Sequence, residues 1–155
     1  MFAFSNQQQS SEEIDSSTPF VAASDGDLAL LQKSLQHLSL PATVADSNGL
    51  TLLHSAASYN QIDVMRWVLS QPNIDVNAKD SDGDTPLHHC DQMSAAKILV
   101  EEAKVDYRIK NSDGQTALQV KEEEANEMGG EMDDGEEDED FKNLEELVGY
   151  LRSLP

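Results

Sequence analysis

The chain has 155 residues, room for one domain with a continuous core if its parts stack side by side. Thirty acidic residues against ten basic ones give a net charge of -20, which argues against nonspecific attraction to nucleic acid or an anionic membrane and makes a Lys/Arg-rich protein the natural partner. Cys90 is the only cysteine, so an intramolecular disulfide is excluded and a reducing compartment is expected.

Residues 1–17 are rich in Ser, Gln and Asn and read as a disordered tail. They hold no basic n-region and no long apolar stretch, so no secretory signal is expected. Ser10 and Ser11 precede Glu12 and Glu13, an acidic setting for phosphorylation. No window approaches the roughly 18 apolar residues of a membrane span. The expected location is the cytoplasm, extending to the nucleus.

Order is predicted from Thr18-Pro19, with proline pre-set in a first helical turn. Phe20, Ala22 and Ala23 form a short helix that Asp25-Gly26-Asp27 stops. Leu28, Leu31, Leu35 and Leu38 then recur at helical spacing, and Pro41 ends the pair. This is an N-terminal capping unit over 18–45.

A phrase follows that occurs three times: DSNGLTLLHSAA from Asp46, DSDGDTPLHHCD from Asp80 and NSDGQTALQVKE from Asn111. Gly49, Gly83 and Gly114 align, as do Thr51, Thr85 and Thr116, at spacings of 34 and then 31, the period of a stacked-repeat protein. In the first copy (46–79), Asn48-Gly49 supplies a left-handed turn and Thr51 opens a helix through Tyr59. Ile62 to Leu69 forms an outer helix predicted to bury Ile62, Met65, Val68 and Leu69, flanked by Val64 and Trp67.

The second copy (80–110) lacks three residues, with ten positions from His54 to Val64 but seven from His88 to Ala95. Its inner helix or turn must be shortened around Cys90 to Ser94, a candidate functional dent. The third copy (111–155) replaces the small Ala-Ala pair by Lys121 and Glu122, as expected where no repeat packs on top. An acidic insertion is predicted over 127–140. Phe141, Leu144, Leu147, Val148, Leu151 and Leu154 then mark the outer helix of a C-terminal cap. From Glu122 to Glu146, fourteen acids face Lys142 alone, so most of the charge sits in one segment. The insertion's Asp133, Asp134, Glu136, Glu137, Asp138, Glu139 and Asp140 read as electrostatic bait for a basic client, against the plain alternative of a solvated loop.

The strings TLLHSAA and TPLHHC, the DxxG turn before them and DVNAKD after them resemble the ankyrin repeat over roughly 18–155, and within that family the small few-repeat fungal members. The resemblance implies an all-α repeat solenoid of helix-turn-helix units with short β-hairpin fingers. It also implies partner binding at the finger tips and the concave inner-helix face. On the fingers that marks Ser47, Asn48, Leu50, Ser81, Asp82, Asp84, Ser112, Asp113 and Gln115. On the inner helices it marks Ser58, Tyr59, His89 and Gln92. Leu52 and Ala117 depart from the usual proline, Asn60 from a turn glycine and Gln119 from the motif histidine.

The string His88-His89-Cys90-Asp91 holds metal-ligand residue types, but consecutive residues cannot all face one ion. His54 and His88 occupy the family's structural histidine position. No GxSxG, P-loop or HExxH string occurs, and the acidic run lacks EF-hand spacing. The expectation is a monomeric, non-enzymatic binding module with no metal and no cofactor. The alternative is a regulatory adaptor of the ubiquitin-proteasome system or another large assembly.

Overall fold

The computed structural model describes residues 13–129 and 138–155. Glu13 to Ser17, placed in the tail by composition, instead build the entry to the first helix. The Asp15 carboxylate accepts the N–H groups of Ser17 and Thr18 and the Ser17 hydroxyl. Residues 1–12, with Ser10 and Ser11, lie outside the described residues, as do 130–137 with Asp133, Asp134, Glu136 and Glu137.

Helices α1 (Thr18–Asp25) and α2 (Leu28–Leu38) form the first layer, turned at Gly26, whose φ of 76° is left-handed. In the second layer, α3 (Leu52–Ser58) packs on α4 (Ile62–Leu69). The face of α4 is rotated from the predicted one. Val64, Met65 and Val68 are buried, while Ile62 and Leu69 are only half-buried.

The third layer carries the deletion. Its inner helix is one turn at 86–89, held by His88 N–H to Thr85 O and Cys90 N–H to Leu87 O. Helix α5 (Met93–Lys97) follows and runs into a π-helical turn (Ile98–Glu102). There Ala103 N–H reaches back five residues to Ile98 O.

In the last layer α6 (Ala117–Gly129) packs on α7 (Glu139–Arg152). The predicted insertion is therefore shorter at both ends. Glu127, Met128 and Gly129 extend α6, while Asp138 caps α7 through Asp140 N–H. Glu139 and Asp140 form its first turn, where carboxylates meet the positive end of the helix.

One apolar core runs through all four layers, from Ala22, Ala23 and Leu31 through Leu53, Ala56 and Met65 to Leu99, Leu147 and Leu151. Two Thr–His brackets tie the layers together. Thr51 N–H donates to His54 Nδ1 (3.1 Å), so the proton sits on Nε2, which donates to Asp84 O in the next copy (3.0 Å). Thr85 and His88 repeat this, with His88 Nε2 donating to Gln115 O. Burial lowers the His54 pKa against the opposing pull of the Asp84 carbonyl, keeping the ring neutral.

Candidate interaction surface

Each finger is a tight turn held by the residue that opens the phrase. The Asp46 carboxylate accepts the N–H groups of Asn48 and Leu50, Asp80 those of Asp82 and Asp84, and the Asn111 amide oxygen those of Asp113 and Gln115. The loops close with Asp46 N–H to Leu50 O, Asp80 N–H to Asp84 O and Asn111 N–H to Gln115 O. The hairpins expected from the resemblance are reduced to these turns. A single antiparallel bridge pairs Ala45 with Thr51, with no strand among the described residues.

The fingers are bonded tip to tip. Ser81 N–H donates to Asn48 O at 2.8 Å and Ser112 N–H to Asp82 O at 2.9 Å. Gly83 sits so close to the next finger that a Cβ would lie 2.7 Å from Ser112 N. The six tip residues Ser47, Asn48, Ser81, Asp82, Ser112 and Asp113 are exposed, and Tyr59, at the far end of α3, is 66% exposed.

The remaining predicted contact residues turn inward or are already engaged. Leu50 is half-buried, and the Ser58 hydroxyl donates to His54 O. The Asp84 carboxylate accepts from Asn111 Nδ2, and Gln115 Nε2 donates to Glu123. Gln92 Oε1 accepts from Asn60 Nδ2, whose Oδ1 accepts from Ser94. His89 Nε2 donates to Asp80 Oδ2 at 2.7 Å, with its ring edge-on to His54. Burial raises the Asp80 pKa, but the hydrogen bonds from His89, Asp84 and Asp82 outweigh it and hold the carboxylate below its usual value.

His88, His89, Cys90 and Asp91 diverge to Gln115 O, Asp80, Pro86 O and Lys121. The donor atoms of His54, Asp80 and His89 do converge within 4.8 Å of one another. Both His54 nitrogens are already committed to the bracket, so that ring has no lone pair to offer a cation.

The dent at the deletion is a recess of about 350 Å³ lined by Asp91, Gln92, Glu124, Met128, Asp140 and Leu144. Below it lies Lys121. Its position in the terminal copy suggested an outward-facing residue, yet it is 3% exposed, with Nζ 2.9 Å from both Asp91 and Glu124. Burial pulls its pKa down, and the two carboxylates more than compensate, leaving it raised. Asp91, which reaches this ammonium, lies in the segment where the second copy is shortened. Cys90 lies against the same charges, its thiol pushed up to about 12 by burial. The only local signal for Lys121 was a basic residue at the edge of an acidic run, where a helical copy would otherwise place a small residue.

Residues 35–90 match the family model described as ankyrin repeats (many copies). An ankyrin repeat-containing protein of Schizosaccharomyces pombe is 36% identical over 83 residues, 54% of this chain and 39% of the relative. The SMC5-SMC6 complex localization factor protein 1 of Bos taurus is 39% identical over 67 residues, 42% of this chain and 6% of that protein. The transient receptor potential cation channel subfamily A member 1 homolog of Caenorhabditis elegans is 37% identical over 67 residues, 43% of this chain and 6% of that protein. The chain thus spans about two fifths of the first relative and a small part of the other two.

Proposed function

The chain carries ankyrin repeats, a fold that generally mediates protein-protein interaction, and on that premise we propose a non-enzymatic module that binds a basic protein through its finger tips. One observation carries the reading: six exposed tip residues are aligned by backbone hydrogen bonds, and their side chains make none among the described residues. Those side chains are available to a partner at no structural cost. Asp82 and Asp113 make the row acidic, and the segment from Glu122 to Glu146 adds to the field. Such a field raises encounter rates with Lys/Arg-rich surfaces more than final affinity. Cytoplasmic and nuclear basic proteins are the corresponding clients, and the module acts as an adaptor or chaperone toward them.

The test is affinity capture from the native cell at two salt concentrations, with Asp82→Lys/Asp113→Lys and with the acids of 131–137 changed to their amides. Deleting 128–140 would be a poor variant, since it cuts into α6 and removes the cap of α7. A basic client whose capture falls about tenfold from 50 to 200 mM salt, and again in the tip variant, is the expected outcome. Capture unchanged by salt and by amidation, with a footprint on the fingers alone, would instead favour an adaptor of a larger assembly. Capture that ignores the tip variant as well would end the reading.

A further inference from the structure

The bonds that stack one copy on the next recur in a fixed register. The histidine three residues after the Thr donates Nε2–H to the carbonyl just before the next Thr: His54 to Asp84 O, His88 to Gln115 O. The second tip residue lends its carbonyl to the next finger: Asn48 O to Ser81 N–H, Asp82 O to Ser112 N–H.

The third copy keeps both groups, and no further copy of the phrase follows it within the 155 residues. Gln119 stands where the histidine stood, and its Oε1 accepts Thr116 N–H at 2.9 Å, the task His Nδ1 performs twice before. That bond engages the amide oxygen and leaves the Nε2 donor without a hydrogen bond among the described residues, and Gln119 is exposed. Asp113 O receives no hydrogen bond from the described residues. Among the described residues nothing lies within 4 Å of a Cβ added at Gly114, where Gly83 is blocked by the next finger at 2.7 Å. The open groove beside these groups is bordered by Glu122, Glu123 and Glu127.

We infer that this end of the stack is a docking template for a turn segment of a basic partner, which takes the place of a fourth finger. The partner gives a backbone N–H to Asp113 O and, three residues later, a carbonyl to Gln119 Nε2, as Ser81 with Asp84 and Ser112 with Gln115 do inside the molecule. Lysine or arginine flanking that turn meets the three glutamates. A second copy of this chain is a poor occupant, because its own charge is -20. The inference rests on the binding-module reading and adds to the tip row a second contact, at the end of the stack.

The probe is a cyclised peptide copying residues 79–88 with Asp82→Lys and Asp84→Lys, titrated into the full chain by amide NMR. Perturbation should centre on residues 112–116 and the Gln119 side-chain amide. Gln119→Glu keeps the acceptor for Thr116 N–H, removes the donor and adds a negative charge. It should weaken binding about tenfold, the worth of one hydrogen bond, although charge alone would strengthen it. Gln119→His should restore binding. No perturbation at 112–116, or one indifferent to Gln119→Glu, overturns the template and leaves the capture experiment above to judge the module. Equal binding of the unsubstituted acidic peptide overturns the basic-partner assignment. Self-association in sedimentation that Gln119→Glu abolishes would assign the face to a second copy.

Discussion

At the residue scale the buried charges decide most. Lys121 is nearly inaccessible while Asp91 and Glu124 reach water, so stripping the ammonium of its partners strands it, whereas removing the ammonium strands nothing. Lys121→Met, which keeps the stem, should cost about 1 kcal/mol, and Asp91→Ala/Glu124→Ala about 2 to 3 kcal/mol, by denaturant unfolding. The opposite order would mean that the pair, and not its desolvation, dominates. His54 sets the acid limit. Its folded pKa lies below the unfolded value of 6.5, so the unfolded chain binds the extra proton. Stability is complete above that value and falls as pH drops from 6.5 through the folded pKa. Thermal midpoints measured from pH 7.5 to 5 should decline, and His54→Gln should flatten the decline between 6.5 and 5. Asp80, also depressed, adds its loss lower, below the carboxylate's ordinary 3.8.

At the scale of elements the fingers are the sensitive joints. Gly83 and Gly114 share a left-handed backbone, φ 77° and 76°, so alanine strains both by about 1 kcal/mol. Only at Gly83 does the new Cβ also strike a neighbouring backbone. Gly83→Ala should therefore destabilise by about 2 kcal/mol or more and Gly114→Ala by about half that, read as the difference in unfolding midpoints. The helices themselves were legible from their periodicity, and the bounds of α4 match the expected Ile62 to Leu69. The edges of the acidic insertion were not. Asp138, Glu139 and Asp140 look like loop by composition, but acids are also what a helix N-terminus attracts, and composition alone cannot choose between the two. Roles such as those of His89, Gln92 and Lys121 were hidden for a different reason. The partners of Gln92 and Lys121 lie 32 and 30 residues away in another copy and become neighbours only when the layers stack. His89 meets Asp80, 9 residues back, only when the finger of its own copy folds over.

At the scale of the whole molecule the single cysteine becomes a gauge. Cys90 is fully buried in the core with its thiol pushed up to about 12, so reagents meet neither access nor thiolate in the native state. Its labelling at neutral pH should proceed at the rate of opening and should accelerate in Gly83→Ala, which loosens the joint above it. Rapid labelling of the unmodified chain would show that the shortened layer opens locally. That outcome would locate the weakest layer at the deletion, where a single turn replaces an inner helix.

The tip-to-tip bonds run entirely through backbone atoms, so the row holds its alignment whatever side chains it bears. Exchange at Ser47, Asn48, Ser81, Asp82, Ser112 or Asp113 is therefore nearly silent for folding. Such a row behaves like movable type in a locked frame: its letters can be reset one at a time, and a lineage can drift toward a new client without passing through an unfolded ancestor.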